Sequence, residues 1–299
     1  MQQTGTECEF SNSDSWVILS PIEQSIKRKI ESVGTPLKDW DINIYRGVLT
    51  GYNEAFIIST EKRDEILANC QSDDERKRTE ELIRPILRGR DIKRYGYNWA
   101  GLWLIATFPS RHYDIEKYPA VKNYLLSFGI ERLEQTGKEH NVNGEKIKAR
   151  KKTNNKWFET QDSISYWADF SKPKIIWKRI GSILRFSYDN MEHLGLDSTC
   201  FATSVNIEFV CCVLNSQMGH YLLKDSPKTG TGDLLISVQA IEPIRIPHID
   251  WETNMNFKKL LMDLIKDNSL AKEQEISRKV FELYGLSPNE QSYIEKNFT

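Results

Sequence analysis

The sequence predicts an α+β fold: helical periodicity opens the chain, strand-like apolar patterns crowd its middle, and helical stripes with no strand signal close it. Its 299 residues are near twice the ~150 residues of a typical domain. The 39% hydrophobic residues, with 8 Trp, 12 Tyr and 12 Phe, exclude a disordered or low-complexity chain. Residues 21–33 predict a helix, with Ser20 as N-cap, Pro21 in the first turn, Ile22, Ile26, Ile30 and Val33 at helical spacing, and Gly34 as the stop. Residues 42–48 and 55–59 read as strands joined into a hairpin by Thr50, Gly51, Tyr52 and Asn53. Helices follow at 61–68 and 75–83, the second ended by Pro85.

The run 101–108, dense in Trp, Leu and Ile, predicts a strand, and 118–133 a helix interrupted by Gly129. Residues 137–155 lack an apolar period and are expected to be a loop. Strands are expected at 174–177, 183–188 and 200–203, an apolar helix at 207–223, a loop at 226–232 and a short proline-edged strand at 244–247. In the last fifty residues Phe257, Leu260, Leu261, Leu264 and Ile265 form one helical stripe, and Ile276, Val280 and Leu283 another. The chain therefore divides into a lead-in helix region at 1–40, a strand-rich body at 41–250 and a helical region at 251–299, with no internal repeat.

A formal charge of -1 by itself argues against a polyanionic partner, but the distribution is uneven. Residues 1–45 carry 4 basic and 7 acidic side chains, residues 250–299 carry 7 and 9, and the middle carries 30 and 26. Three segments there are strongly basic: 76–94 with 8 basic and 3 acidic, 138–156 with 7 and 2, and 172–185 with 5 and none. The last two are interleaved with Trp157, Phe158, Tyr166, Trp167 and Trp177, a pairing of cations and flat rings that suits nucleic acid. Trp177, behind Ile175 and Ile176, is expected in the core. The odd set Cys8, Cys70, Cys200, Cys211 and Cys212 contains no CxxC pair and reads as reduced, mostly buried thiols. No apolar run reaches the ~20 residues of a membrane span and no signal peptide opens the chain, so a cytoplasmic protein is expected.

Motifs that carry chemistry are sparse. None of the ten prolines adjoins another, which removes the Asn/Asp-Pro-Pro-aromatic centre of an adenine methyltransferase. Neither GxGxxG nor GxxxxGK[ST] occurs, and the Thr229-Gly230-Thr231-Gly232 segment reads as a surface loop more readily than a phosphate cradle. Glu75-Arg76-Lys77 is the one ExK, with Asp64 upstream, but a charged helix face is a poor setting for a metal-dependent nuclease. His112, His140, His193, His220 and His248 never fall at metal-ligand spacing. This reading points to a binding module.

Read as a series, the segments resemble the TaqI-like C-terminal specificity domain, the target-recognition part of type II and IIG restriction-modification enzymes and their adenine methyltransferases. Gly47, Thr50, Gly51, Asn53, Ala55 and Phe56 are similar to that family's G-x-x-T-G-x-N-x-A-F element. Pro85, Leu87, Gly89, Asp91 and Ile92 are similar to its P-x-L-x-G-x-D-I. Trp157-Phe158-Glu159, then Lys172-Pro173-Lys174-Ile175, resemble its W-Y-E and K-P-K-I pieces, and residues 280–287 its Y-x-L-Y-G-L helix end. The resemblance runs over about residues 16–298 and rests on order and spacing, since each piece alone is unremarkable.

The resemblance implies a β-rich target-recognition domain with surrounding helices, then a small helical part, which reads double-stranded DNA for a methyltransferase or nuclease domain placed N-terminally or encoded separately. No cofactor is expected on this chain; S-adenosylmethionine and Mg would belong to the catalytic domain. The chain itself is expected to have no chemistry of its own. Candidate DNA contacts are Lys148, Arg150, Lys151, Lys152, Lys156, Lys178, Arg179 and Arg185, with Arg88, Arg90, Lys93 and Arg94 as a second set. Gly47, Gly51 and Gly89 are expected to permit tight turns through positive φ. Two other readings compete: a free-standing nuclease with an unrecognised site, and an interaction domain whose 251–299 helices dock a methyltransferase.

Overall fold

The computed structural model of the chain describes residues 19–142 and 144–298; Cys8 and the rest of the first eighteen residues lie outside them. The described residues form an α+β structure in two compact units, one spanning Asn43–Ile207, the other built from the described parts of Met1–Ile42 and Glu208–Thr299.

The first unit is organised by two four-stranded sheets. One has the strand order Phe186–Asp189, Lys174–Lys178, Thr199–Ser204 and Ile42–Arg46; the other runs Leu194–Gly195, Ile83–Leu87, Leu102–Ile105 and Ile57–Ser59. Strand Lys174–Lys178 is central in its sheet, antiparallel to both neighbours, and pairs Trp177 with Phe186 and Lys174 with Asp189. Its Ile175, Ile176 and Trp177 are buried, as a strand covered on both faces requires. Val48, Phe56, Ile86, Leu104, Phe170, Ile176 and Phe201 share one core with residues of the helices Thr60–Ala68, Asp73–Leu82 and Pro119–Leu126.

Four local expectations are corrected. The turn at Thr50-Gly51 does not close a hairpin: the Thr50 hydroxyl donates to Asn53 Oδ1 at 2.7 Å and accepts from Tyr52 N at 3.1 Å, starting the helical turn Asn53–Phe56. The strands on either side go to different sheets. Residues 137–155 are not all loop, because Glu139–Val142 and Glu145–Lys148 pair as a hairpin. Pro85 does more than end a helix: helix Asp73–Leu82 already stops before it, and Pro85 stands inside strand Ile83–Leu87, opposite Trp103. Of the three glycines expected at positive φ, Gly51 alone has it, at 79°. Gly47 serves close approach instead, since a Cβ there would lie 2.0 Å from the Leu196 carbonyl oxygen.

Glu75, the candidate nuclease carboxylate, is buried in this unit. Its two oxygens accept from Gln71 N at 2.7 Å and from Ala120 N at 2.9 Å, the latter at the start of helix Pro119–Leu126. The carboxylate thereby satisfies a first-turn N–H of helix Pro119–Leu126 that has no partner within that helix, and an N–H of the loop before helix Asp73–Leu82. Both oxygens are spent on backbone, which takes Glu75 out of the nuclease reading. Glu75→Ala is expected to cost about 1–3 kcal/mol of stability by leaving buried donors unpaired, a loss that urea unfolding would read directly.

The second unit pairs strand Gly34–Pro36 with Arg245–Pro247 and surrounds them with helices. Helix Pro21–Val33 starts with a complete capping box between Ser20 and Glu23. Ser25 and Lys29 on it hold Glu290 of helix Pro288–Asn297 at 2.7 and 2.6 Å, so the first and last helices of the described residues pack together. The expected apolar helix at 207–223 is two, Ile207–Asn215 and Gln217–Leu222, divided where the Ser216 hydroxyl accepts from Gly219 N. Cys211 and Cys212 are buried thiols here, and Cys200 is one in the first unit; Cys70 is half-buried.

Candidate nucleic-acid interface

The candidate interface lies in the first unit, where the turn after strand Ile83–Leu87 meets the hairpin made by strands Lys174–Lys178 and Phe186–Asp189. Asp91 builds the turn: its buried carboxylate accepts from Arg88 N at 2.8 Å, Arg88 Nε at 3.1 Å and Arg88 Nη2 at 2.8 Å. This fork holds Arg88 and offsets its charge, while Arg90 is left exposed beside it. The neighbouring Gly89 donates its N–H to Ser198 Oγ at 3.3 Å. A Cβ on Gly89 would come within 3.0 Å of Lys178 Cγ, so the missing side chain is what lets the lysine stem pass over the turn.

The hairpin is tied down on both strands. Ser187 Oγ accepts from Lys93 N at 3.2 Å, and Tyr95 bridges Phe186 and Tyr188 through backbone bonds of 3.0 Å each, which fixes the segment bearing Lys93 and Arg94 alongside. Lys174 and Asp189 form a fully buried ion pair of 2.6 Å at the hairpin base. The carboxylate also receives His193 Nδ1 at 2.9 Å and His193 N at 3.1 Å, and Lys174 donates to the Phe170 carbonyl at 2.7 Å. Burial alone would push the Asp189 carboxyl up, but His193 and Lys174 hold it far below the usual carboxylate range.

Above this base, Gly89, Arg90, Ile92, Lys178, Gly181, Ser182, Ile183 and Arg185 line a depression of about 160 Å³. No carboxylate is among the lining residues. Three of the candidate cations, Arg90, Lys178 and Arg185, are therefore brought together from sequence positions nearly a hundred residues apart. Arg179 follows the last residue of the strand. It is half-buried and not among the lining residues, and its backbone N–H donates to the Ser198 carbonyl at 3.0 Å. The Arg94 guanidinium lies 5.5 Å from the Tyr95 ring centroid.

The remaining candidates sit on and after the hairpin Glu139–Val142/Glu145–Lys148. Lys148, Lys151, Lys152 and Lys156 are exposed. Arg150 is not, and its assignment as a DNA contact is corrected. Its guanidinium donates to the carbonyls of Leu133 at 2.8 Å, Thr50 at 2.9 Å, Glu159 at 2.8 Å and Trp157 at 2.6 Å, and burial pushes its pKa down to about 10. It is a buried strut joining the 133–159 loops to the Thr50 turn. Of the interleaved rings, Trp177 and Phe158 are core, Tyr166 stacks on Tyr45 at 4.3 Å, and Trp167 is exposed with the Arg111 guanidinium 3.8 Å from its centroid.

Two parts of this arrangement escape a reading of local charge: Ser198, far along the chain, orders the Gly89 turn, and Ile183 stands 59% exposed at the hairpin tip among the cations. The Thr229-Gly230-Thr231-Gly232 segment is a tight turn closed by Gly232 N donating to Thr229 O at 2.9 Å. Among the described residues no helix is long and apolar enough to cross a membrane.

Comparison with known proteins places these residues in context. A family model described as the TaqI-like C-terminal specificity domain matches residues 84–244, an interval containing all twelve candidate cations. The chain is 24% identical over 293 residues to the type II methyltransferase M.PaeR7I of Pseudomonas aeruginosa, an alignment covering 96% of this chain and 46% of that protein. Its fold is similar to that of the type IIL restriction-modification enzyme MmeI, solved in complex with DNA, with a TM-score of 0.56, 10% identity, and coverage of 89% of this chain and 36% of that one. The type IIG restriction endonuclease BpuSI is matched with a TM-score of 0.47 and 13% identity, over 91% of this chain and 33% of that one. The chain thus spans less than half the length of each of these relatives.

Proposed function

Since the chain belongs to the TaqI-like C-terminal specificity domains of restriction-modification enzymes, we propose that it recognises double-stranded DNA in a sequence-specific way and leaves the chemistry to a methyltransferase or nuclease domain carried N-terminally or on a separate chain. S-adenosylmethionine and Mg belong, in this reading, to that catalytic domain, and the site of action is the cytoplasm, where the DNA is. The observation that carries the proposal is the depression where Arg90, Lys178 and Arg185 converge with no carboxylate among its lining residues. Cations gathered on an ordered frame suit a phosphate backbone, because neutralised phosphates release condensed counterions and because ordered side chains hold the register from which bases are read.

Lys93 and the exposed lysines at 148, 151, 152 and 156 extend the set of phosphate contacts. With about six contacts, affinity is expected to fall on the order of a thousandfold between roughly 50 and 200 mM salt. Fluorescence anisotropy with labelled duplex at the two salt concentrations checks this. A salt-independent affinity, or no binding at either concentration, contradicts the proposal. Each single change, Lys178→Gln or Arg185→Gln, is expected to lower the log–log salt slope by about one and to weaken all duplex sequences alike.

A further inference from the structure

The hairpin tip exposes two apolar residues that electrostatics does not account for, Ile180 and Ile183, and Ile183 is the one that faces the cations. Ile183 is 59% exposed, and it lines the same depression as Arg90, Lys178 and Arg185. A branched apolar side chain gains nothing from phosphate, and left in water it forfeits the stabilisation that burial would bring. Nor can it turn inward by small adjustments. The strands below it are buried from Ile175 to Trp177 and from Phe186 to Asp189, and their base is pinned by the Lys174–Asp189 pair. Gly181 and Ser182, which precede it, have little side-chain bulk and line the same depression.

Cations flanking an exposed apolar side chain fit a nucleic-acid groove: the cations meet the backbone, and the side chain meets the one apolar group on a base edge, the thymine 5-methyl in the major groove. We infer that Ile183 is a specificity-determining residue that packs against a thymine methyl while Arg90, Lys178 and Arg185 hold the phosphates around it. The inference rests on the DNA-recognition reading above and adds to it the residue and the chemical group it reads.

The test uses the full chain and a duplex pool with a randomised centre, from which the wild type selects its preferred sequence. Each thymine of that sequence is then replaced in turn by deoxyuridine, which removes only the methyl. The wild type is expected to lose about fourfold in affinity at one position, the effect of one methyl-sized group taken from water. Ile183→Ala is expected to bind the thymine and deoxyuridine duplexes equally at that position, with an unchanged salt slope and an unchanged thermal midpoint, because the side chain is exposed. Ile183→Val should restore part of the difference. If Ile183→Ala keeps the wild-type preference for the methyl, or if no position responds to deoxyuridine, the inference is overturned while duplex binding stands. If the wild type binds no duplex, the DNA-recognition reading itself fails.

Discussion

Replacing Lys174 by Met is expected to lower the stability of the chain by about 3–5 kcal/mol, the cost typical of removing one partner from a buried ion pair. Both side chains of the pair are fully buried, the nitrogen–oxygen distance is 2.6 Å, and Asp189 also meets His193, the Tyr97 hydroxyl and the backbone N–H groups of Met191 and His193. Methionine fills the volume but leaves the buried carboxylate without its lysine cation beneath the hairpin. Changing both residues to apolar ones should recover much of the loss, since the penalty comes from the orphaned charge rather than from a large net gain by the pair. The acid limb follows the same logic. A carboxyl held below its unfolded value contributes stability that is present above that value, about 4, and is lost as pH falls toward the folded one. Lys174→Met raises the folded value, so its stability should depend less steeply on pH below about 5. Urea unfolding at neutral and at acid pH measures both effects. A variant as stable as the wild type would show that the hairpin does not depend on this pair.

Arg150→Met is expected to cost about 3 kcal/mol, because it strips donors from four backbone carbonyls in one step; those of Thr50 and Glu159 keep a second donor in Gln161 N and Gln135 Nε2, and each buried acceptor left unpaired costs roughly 1–3 kcal/mol. The carbonyls of Leu133, Thr50, Trp157 and Glu159 are separate in sequence, and the guanidinium, 5.0 Å from the Phe56 ring centroid, is what holds them together. Lysine should not rescue the loss, since an ammonium cannot reproduce the planar fork. Thermal unfolding of the Arg150 variants beside Lys151→Met and Lys152→Met makes the contrast, with the two exposed lysines expected to change stability by less than about 0.5 kcal/mol. A stable Arg150→Met that had lost only DNA affinity would return Arg150 to the contact set.

What could be read from the sequence follows from the range of the forces involved. The first helix was legible because its capping box, its N-terminal proline and its apolar spacing are all local. The terminal helices were legible because Phe257, Leu261 and Leu264, then Ile276 and Val280, repeat at helical period and are buried. The 139–148 hairpin was not, since Val142 and Ile147 are its only apolar residues, too few to set a strand period, and its pairing is carried by backbone. Pro85 reads as punctuation because its missing N–H argues against a strand interior, yet it stands within one.

The candidate site divides along the same line. That Arg90, Lys178 and Arg185 are cations is plain in the sequence, but what gathers them is the Ser198 hydroxyl on Gly89 and the Asp91 fork on Arg88, neither of which leaves a periodic signal. Arg150 stands next to two exposed lysines, and charge alone does not separate a strut from a contact.

The most direct measurement is an anisotropy titration of labelled duplex with the wild type and with the triple variant Arg90→Gln/Lys178→Gln/Arg185→Gln, each at several salt concentrations. The account predicts that the triple variant folds with the wild-type thermal midpoint, binds far more weakly at low salt, and shows a log–log salt slope reduced by about three. A triple variant with wild-type affinity and slope would contradict the assignment of this depression to DNA.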